Sequence, residues 1–213
     1  MGEIFLYDKA FFCIDNYYPD PDKIRNDVLS GNGFSWLPEK TSHSYPYGLA
    51  PFLGKMTKES YVPDHKIDFT VANCLGKNVV PRMKSDHGCF RLSCETDKPN
   101  MFNHSIHSDG IAGDKADWAG VLYLTPIQKE IEGTIFYKNT VLNKSYFTEF
   151  SDYDTIQQLG NDNPIQWQKE LVSYFVYNRL IIYRADMFHG VGPAFGDSDD
   201  TGRLIQLFSW KEL

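Results

Sequence analysis

From residue 79 onward the chain is a succession of β-forming segments without helical periodicity between them, and this pattern restricts the fold more than any other feature. The segments are GCFRLSCET (88–96), WAGVLYLTP (118–126), GTIFYKNT (133–140), RLIIYRA (179–185) and RLIQLFSW (203–210). Each is rich in β-branched and aromatic residues and is bounded by turn formers. Strands that alternate with helices build parallel sheets. Strands joined by loops and long excursions close instead into an all-β barrel or a double-sheet jelly roll. An aromatic content of 15% agrees, because flat rings pack well on pleated surfaces.

The N-terminal third reads differently. Residues 4–14, IFLYDKAFFCI, suit a strand. In DNYYPDPDKIRNDVLS, Asp20 is placed to cap free N–H groups and Pro21 fits a first helical turn. Ile24, Val28 and Leu29 recur at helical spacing, and Gly31 and Gly33 end the helix. Residues 35–66 read as irregular chain around short elements, and residues 67–76 fit a short helix or a strand equally well. Residues 143–166 are polar and read as an insertion with one short helix. The expectation is one domain over residues 1–213, mainly β with flanking helices. Residues 1–78 form a strand, helix and loop support, and residues 79–213 form a jelly-roll core that carries the insertion 143–166.

The formal net charge is −7 with no basic stripe, which argues against direct nucleic-acid binding. The acidic cluster Asp197 to Asp200, broken by Ser198, reads as a solvated loop rather than a calcium site. Cys13, Cys74, Cys89 and Cys94 show no CxxC spacing, so four free thiols in a reducing compartment are expected. The N-terminus lacks the basic and apolar regions of a signal peptide, and Leu6 stands where a myristoylation motif wants Ser or Thr. No apolar stretch approaches the roughly 20 residues that span a membrane. The expected setting is the cytoplasm, without a membrane partner.

The chemistry gathers around His107-Ser108-Asp109. Residues at i and i+2 of an extended chain point to one side, so an imidazole and a carboxylate there can meet one metal ion. A third ligand is offered by His189, just after the apolar strand RLIIYRA. Two imidazoles and a carboxylate on one face of an octahedron leave three open positions, the facial triad of iron(II) and oxygen chemistry. An HxD pair arises often by chance, and His107 alone would read as a hydrogen-bonded loop histidine. Arg203, which opens the last strand, adds weight. A 2-oxoacid chelating the metal leaves a distal carboxylate, which the planar guanidinium fork matches. The plainer reading of a strand arginine is a surface ion pair.

The ordered set of HxD, the YLT strand (Tyr123-Leu124-Thr125), EGTIFY, a distal histidine and a final arginine strand resembles the 2-oxoglutarate/Fe(II)-dependent oxygenases, in particular their prolyl-hydroxylase-like branch. IDNYYPDPDKIR resembles the lead-in strand and helix of that branch. The core of the resemblance covers about residues 88–210. It implies a double-stranded β-helix, iron(II) held by His107, Asp109 and His189, and 2-oxoglutarate held by Arg203. It also implies molecular oxygen as oxidant and oxidative decarboxylation coupled to hydroxylation of a substrate. An amino-acid or peptide side chain is the favoured target, and a small molecule remains open. Halogenases of the wider superfamily commonly have a small residue at the place of Asp109, so its presence favours hydroxylation, or demethylation through the same step.

Three departures from the pattern stand out. The interval from His189 to Arg203 is long, with GDSDD as the apparent insertion. Trp210 faces away from Arg203 if the strand is regular. Glu132 occupies a position often held by glycine.

The Tyr123 hydroxyl is a candidate donor to the distal carboxylate, with Leu122 the inward residue on the alternative strand phase. Asn103, His104 and Ser105 are placed to line the pocket, though His104 reads more simply as a supporting or surface residue. Arg91 and Ser93 alternate on the strand before the motif and face either co-substrate or solvent. Tyr183 and Phe188 read as core, and Trp118 and Trp36 as core rather than lid. Selectivity is expected from residues 35–66 and 143–166. Two other classes stand beside this one: a cupin-type metal protein, isomerase or dioxygenase, that uses no 2-oxoglutarate, and a non-catalytic binding domain. Dependence on Arg203 separates the first, and succinate formation separates the second.

Overall fold

Alternation along the last strand organises the molecule. In a computed structural model, which describes residues 4–8, 11–37, 54–62, 66–82, 87–97, 106–109, 116–158 and 163–213, that strand runs Arg203–Glu212. Ahead of it come β1 (Ile4–Asp8), β2 (Phe11–Ile14), α1 (Pro21–Ser30), β3 (Lys55–Met56), α2 (Lys66–Leu75), β4 (Val79–Pro81) and β5 (Phe90–Ser93). Then follow β6 (Trp118–Tyr123), β7 (Glu132–Asn139), α3 (Phe150–Gln158), β8 (Trp167–Tyr174), β9 (Leu180–Arg184) and β10 (His189–Val191), and the last strand is β11. The large sheet has the order β1-β2-β9-β6-β11-β5-β3, with β4 paired to the end of β11. The small sheet is β10-β7-β8. All the pairings are antiparallel.

The two faces of the large sheet do different work. On one, Leu204, Phe208 and Trp210 pack with Leu122, Ile182 and Phe90 into a core closed by Val28 of α1 and Val71 of α2. On the other, Ile205 joins Val121, Tyr123, Ile181 and Tyr183 of the large sheet and Phe136 of the small one. The second core therefore lies between the two sheets. Tyr123 stands directly opposite Ile205 in the pairing, and Trp210 falls on the helix side, facing away from Arg203. In the small sheet, β7 is buried on both faces as well. Ile135 and Tyr137 point outward and are covered by Phe147 and by Ile156 of α3.

α1 forms as the sequence dictates. Asp20 accepts the Lys23 N–H at 3.0 Å, Pro21 opens the first turn, and Gly31 closes the helix at φ 74°, where a side chain would be strained. α2 resolves the open choice at residues 67–76 in favour of a helix, because the large sheet presents an apolar face there and Val71, Ala72 and Leu75 pack onto it. IFLYDKAFFCI is two strands rather than one: β1 folds back on β2, and β2 pairs with β9. β8 has no counterpart in the sequence reading. Gln168, Lys169 and Glu170 are exposed, so its place is fixed mainly by backbone pairing to β7.

Among the described residues, no helix is long and apolar enough to cross a membrane. No disulfide joins any of the four cysteines.

Candidate metal centre

His189 opens β10, whose pairing with β7 sets it opposite Phe136 on the inner side of the small sheet. An isolated bridge brings in the second histidine. The His189 N–H donates to the His107 carbonyl at 2.9 Å, and the His107 N–H donates to the His189 carbonyl at 2.8 Å. Residues paired in this way carry their side chains on one face, and the two imidazoles lie with ring centres 4.3 Å apart. Asp109, two residues on, returns to that face. Ser108 points the other way, its hydroxyl donating to the Ala185 carbonyl at 3.1 Å.

The result is a tight group. The His107 Nε2 is 3.6 Å from Asp109 Oδ1, and the His189 Nε2 is 3.5 Å from Asp109 Oδ2. One ligand atom from each of the three lies within 4.8 Å of the others. The Met187 carbonyl lies 2.9 Å from His189 Nδ1. Since a carbonyl only accepts, Nδ1 carries the proton and Nε2 presents its lone pair inward. The Tyr183 hydroxyl reaches the same Nε2 at 3.1 Å. An outer hydrogen bond that fixes the tautomer and ring plane is the usual support of a metal-binding histidine.

Electrostatics agree with a cation-binding role. Burial, with His107 adding to it and Asp109 opposing, pushes His189 down to about 4. It is therefore neutral near pH 7 and loses no proton on taking a metal. Burial raises the Asp109 carboxyl, but His189, a hydrogen bond from His107 and the Arg91 charge outweigh it and hold the group well below the usual carboxylate range.

A pH effect follows for the metal-free protein. The unfolded chain takes up the His189 proton near pH 6.5, whereas the folded chain does so only near pH 4. Unfolded chains then bind more protons in that interval, so stability falls as pH drops from about 6.5 to about 4. The loss from this group is on the order of 3 kcal/mol. Urea unfolding of metal-free protein at graded pH measures it, and a flat profile across that interval would contradict the burial of a neutral His189.

The triad opens on a cavity of about 120 Å³ that is also lined by Arg91, Arg203 and Thr134. Arg203 is 3% exposed. Its Nη2 donates to the Gly133 carbonyl at 3.1 Å, its guanidinium sits 5.7 Å from the centre of the Phe175 ring, and its Nε has no hydrogen-bond partner. Burial, reinforced by Arg91, pushes Arg203 down to about 10. A buried guanidinium without a carboxylate partner is expensive, and an anion entering the cavity would relieve it.

Tyr123 is fully buried beside it, its hydroxyl donating to Thr134 Oγ1 at 2.9 Å and its ring 4.5 Å from that of Phe175. Gly133 is required here: a Cβ at that residue would lie 2.7 Å from the Tyr123 hydroxyl. The neighbouring Glu132 is directed outward to an ion pair with Lys169 at 2.7 Å.

The long interval before Arg203 is taken up locally. Thr201 Oγ1 accepts the N–H groups of Asp197 at 3.0 Å and Ser198 at 3.1 Å, and Asp199 pairs with Lys55 at 2.7 Å. The GDSDD segment is thus a surface turn, closed by its own hydrogen bonds and anchored to Lys55, that returns the chain to the sheet in register.

Other candidates scatter. Leu122 lies on the helix side, so Tyr123 is the inward residue. Arg91 lines the cavity, and Ser93 is buried opposite Arg203 in the pairing. Phe188 packs in the outer cluster with Ile135. Trp118 is core, its Nε1 donating to Glu212 at 2.9 Å, and Trp36 packs against the same core. Asn103, His104 and Ser105 lie outside the described residues, as does most of 35–66.

Among the described residues none from 143–166 lines the cavity. Phe147 and Ile156 of that segment cover the outer face of the small sheet. Tyr183, read as core, is part of the second core and also lines the cavity. Thr134 and Arg82 also line it and went unnoticed. Strand alternation from Phe136 would have found Thr134, whereas nothing in the sequence marks Arg82.

No protein-family model and no curated protein sequence matches the chain. Among solved structures, HygX from Streptomyces hygroscopicus with nickel and 2-oxoglutarate bound aligns with 95% of this chain and 82% of its own, at 10% identity and a TM-score of 0.51. The same protein with nickel, 2-oxoglutarate and hygromycin B bound gives equal coverage and identity at a TM-score of 0.49. An N-substituted L-amino acid dioxygenase from Burkholderia ambifaria AMMD aligns over 96% of this chain and 86% of its own, at 11% identity and a TM-score of 0.46. At such identities the likeness to the first is one of fold. The fold is a jelly roll. Its two sheets form a double-stranded β-helix, with the candidate centre between them.

Proposed function

We propose that this protein is an Fe(II)- and 2-oxoglutarate-dependent dioxygenase of the prolyl-hydroxylase-like branch, which hydroxylates its substrate. One observation carries the reading: the His107, Asp109 and His189 group and the buried Arg203, with its unpartnered Nε, share a single cavity. The donor set fits ferrous ion, being two neutral imidazoles and one carboxylate with room for further ligands. HygX, whose fold is similar, binds nickel and 2-oxoglutarate, in keeping with this reading.

In this proposal His107, Asp109 and His189 hold the iron, and Arg203 receives the distal carboxylate of 2-oxoglutarate with the Tyr123 hydroxyl beside it. When bound, iron, 2-oxoglutarate and molecular oxygen would supply the oxidation that turns a substrate C–H into C–OH while the co-substrate leaves as succinate and carbon dioxide. The chain's own part is to bind, orient and exclude water. The Met187 carbonyl keeps the His189 proton on Nδ1. Phe175 and the Gly133 backbone close off Arg203 from solvent, where a charge pair is worth far more than in water. His107 and Asp109, with side chains 32% and 33% exposed, leave the centre accessible from one side, while His189 at 6% closes the other. A cytoplasmic setting belongs to the proposal, and four cysteines outside any disulfide suit it.

The test is succinate release. Protein stripped of metal and then given ferrous ion, ascorbate and 2-oxoglutarate should form succinate slowly without added substrate, and omission of either iron or the keto acid should abolish it. If the zinc-substituted protein does not bind 2-oxoglutarate and the iron-loaded protein forms no succinate, the reading fails.

A further inference from the structure

We infer that the Tyr183 ring is where this protein hydroxylates itself when 2-oxoglutarate is consumed without a primary substrate, leaving a catechol side chain. The inference rests on the proposed function and assigns a covalent modification to the same centre.

Electron counting calls for such a site. Full reduction of dioxygen takes four electrons, and oxidative decarboxylation of the keto acid supplies two. A substrate C–H supplies the other two in the coupled reaction. Where neither a substrate nor an added reductant is present, the protein has to supply them.

Tyr183 is placed to do so. It lies on β9, opposite Phe11 of β2 and Ala119 of β6, and its side chain joins Ile181 on the inner face of the large sheet. Its hydroxyl stands 3.1 Å from His189 Nε2, the nitrogen proposed to hold the iron. The ring centre is 4.8 Å from that of His189 and 5.0 Å from that of Phe136, which packs edge-on and fixes the ring beside the triad. Tyr183 is 2% exposed and lines the cavity, so the cavity and not bulk solvent gives access to it.

The chemistry of the lining points to the same residue. Among the described residues of the cavity wall, Tyr183 is the one phenol, and no cysteine, methionine or tryptophan accompanies it. The hydroxyl makes the ring carbons next to it electron-rich. Val191, Ile205 and Leu207 carry no such activating group, and Phe208 belongs to the core on the helix side. Proximity and reactivity therefore select one side chain. The step balances with dioxygen and the keto acid alone. One oxygen atom enters the new carboxylate of succinate, carbon dioxide leaves, and the second oxygen converts a ring C–H beside the phenol carbon into C–OH.

The test uses the full chain and reads mass. Trypsin cuts after Arg179 and Arg184 and so releases Leu180-Ile181-Ile182-Tyr183-Arg184, in which Tyr183 is the one aromatic residue. Iron-loaded protein is given 2-oxoglutarate and isotopically labelled dioxygen, with ascorbate and any substrate left out. This peptide should gain one labelled oxygen atom, at least about tenfold more than in a parallel sample without the keto acid, because position beside the centre selects it. Zinc-substituted protein exposed to hydrogen peroxide should leave the peptide unchanged. Tyr183→Phe keeps the ring against Phe136 but lacks the activating hydroxyl, and should gain several-fold less oxygen on this peptide per succinate formed.

The inference is overturned if succinate accumulates while the peptide stays unmodified, or if the added oxygen comes from water. It is equally overturned if modification is as great without 2-oxoglutarate, or if Tyr183→Phe gains as much oxygen per succinate as the parent. Absence of succinate from the parent protein would mark failure of the underlying function, a result distinct from all of these.

Discussion

Asp109→Ala is expected to bind ferrous ion at least about a hundredfold more weakly than the parent chain, since loss of a mere supporting partner of a metal ligand already costs about 10- to 100-fold. Succinate release should fall to background with it. Asp109 is the informative position because its side chain supplies the only negative charge of the group and stands 3.6 and 3.5 Å from the two imidazole nitrogens. The histidines are less clean, since their backbones pair across the bridge that builds the site. The side chain of Asp109 is one third exposed, so its removal leaves the cores intact and melting of the metal-free variant should change little. Titration with cobalt(II), followed by visible absorption, measures affinity without reference to turnover. A variant that keeps parental metal affinity would refute the three-ligand centre.

Arg203→Met should raise the dissociation constant for 2-oxoglutarate by roughly a hundredfold or more, the equivalent of about 3 kcal/mol for truncating one partner of a buried charge pair. Metal binding should be unaffected, because Arg203 lies at the Gly133 end of the cavity and not among the three ligands. Stability carries a second signature. In the ligand-free protein the Arg203 Nε is buried without a partner, so methionine should leave melting unchanged or raise it, where loss of a structural ion pair would lower it. Arg203→Lys should restore only part of the affinity, as lysine lacks the fork. Calorimetric titration of 2-oxoglutarate into zinc-substituted protein reads the affinities, and thermal melting of the ligand-free variants reads the stability. Parental 2-oxoglutarate affinity in Arg203→Met would favour a cupin-type metal protein that does not use the keto acid.

What the sequence determined by itself was local. The period-two repeat of a strand sends His107 and Asp109 to one side and Ser108 to the other, and no distant residue is needed to know it. The cap at Asp20 and the left-handed Gly31 likewise fix α1 within a few residues. Beyond residue 79, hydrophobic segments named five of the strands, because buried strands must be apolar, and missed among others β8, whose exposed side chains leave no such mark.

Tertiary structure decided everything that depends on register between distant strands. Whether Tyr123 or Leu122 looks inward follows from the pairing of Tyr123 with Ile205. Whether Arg91 meets solvent or cavity follows from its pairing with that same residue. Residues 67–76 became a helix because an apolar sheet face lay within reach of Val71. A one-residue slip in any of these ladders would reverse the face of every side chain on the strand. That is why three letters of sequence can announce two of the proposed metal ligands and still keep the lining of the cavity out of view.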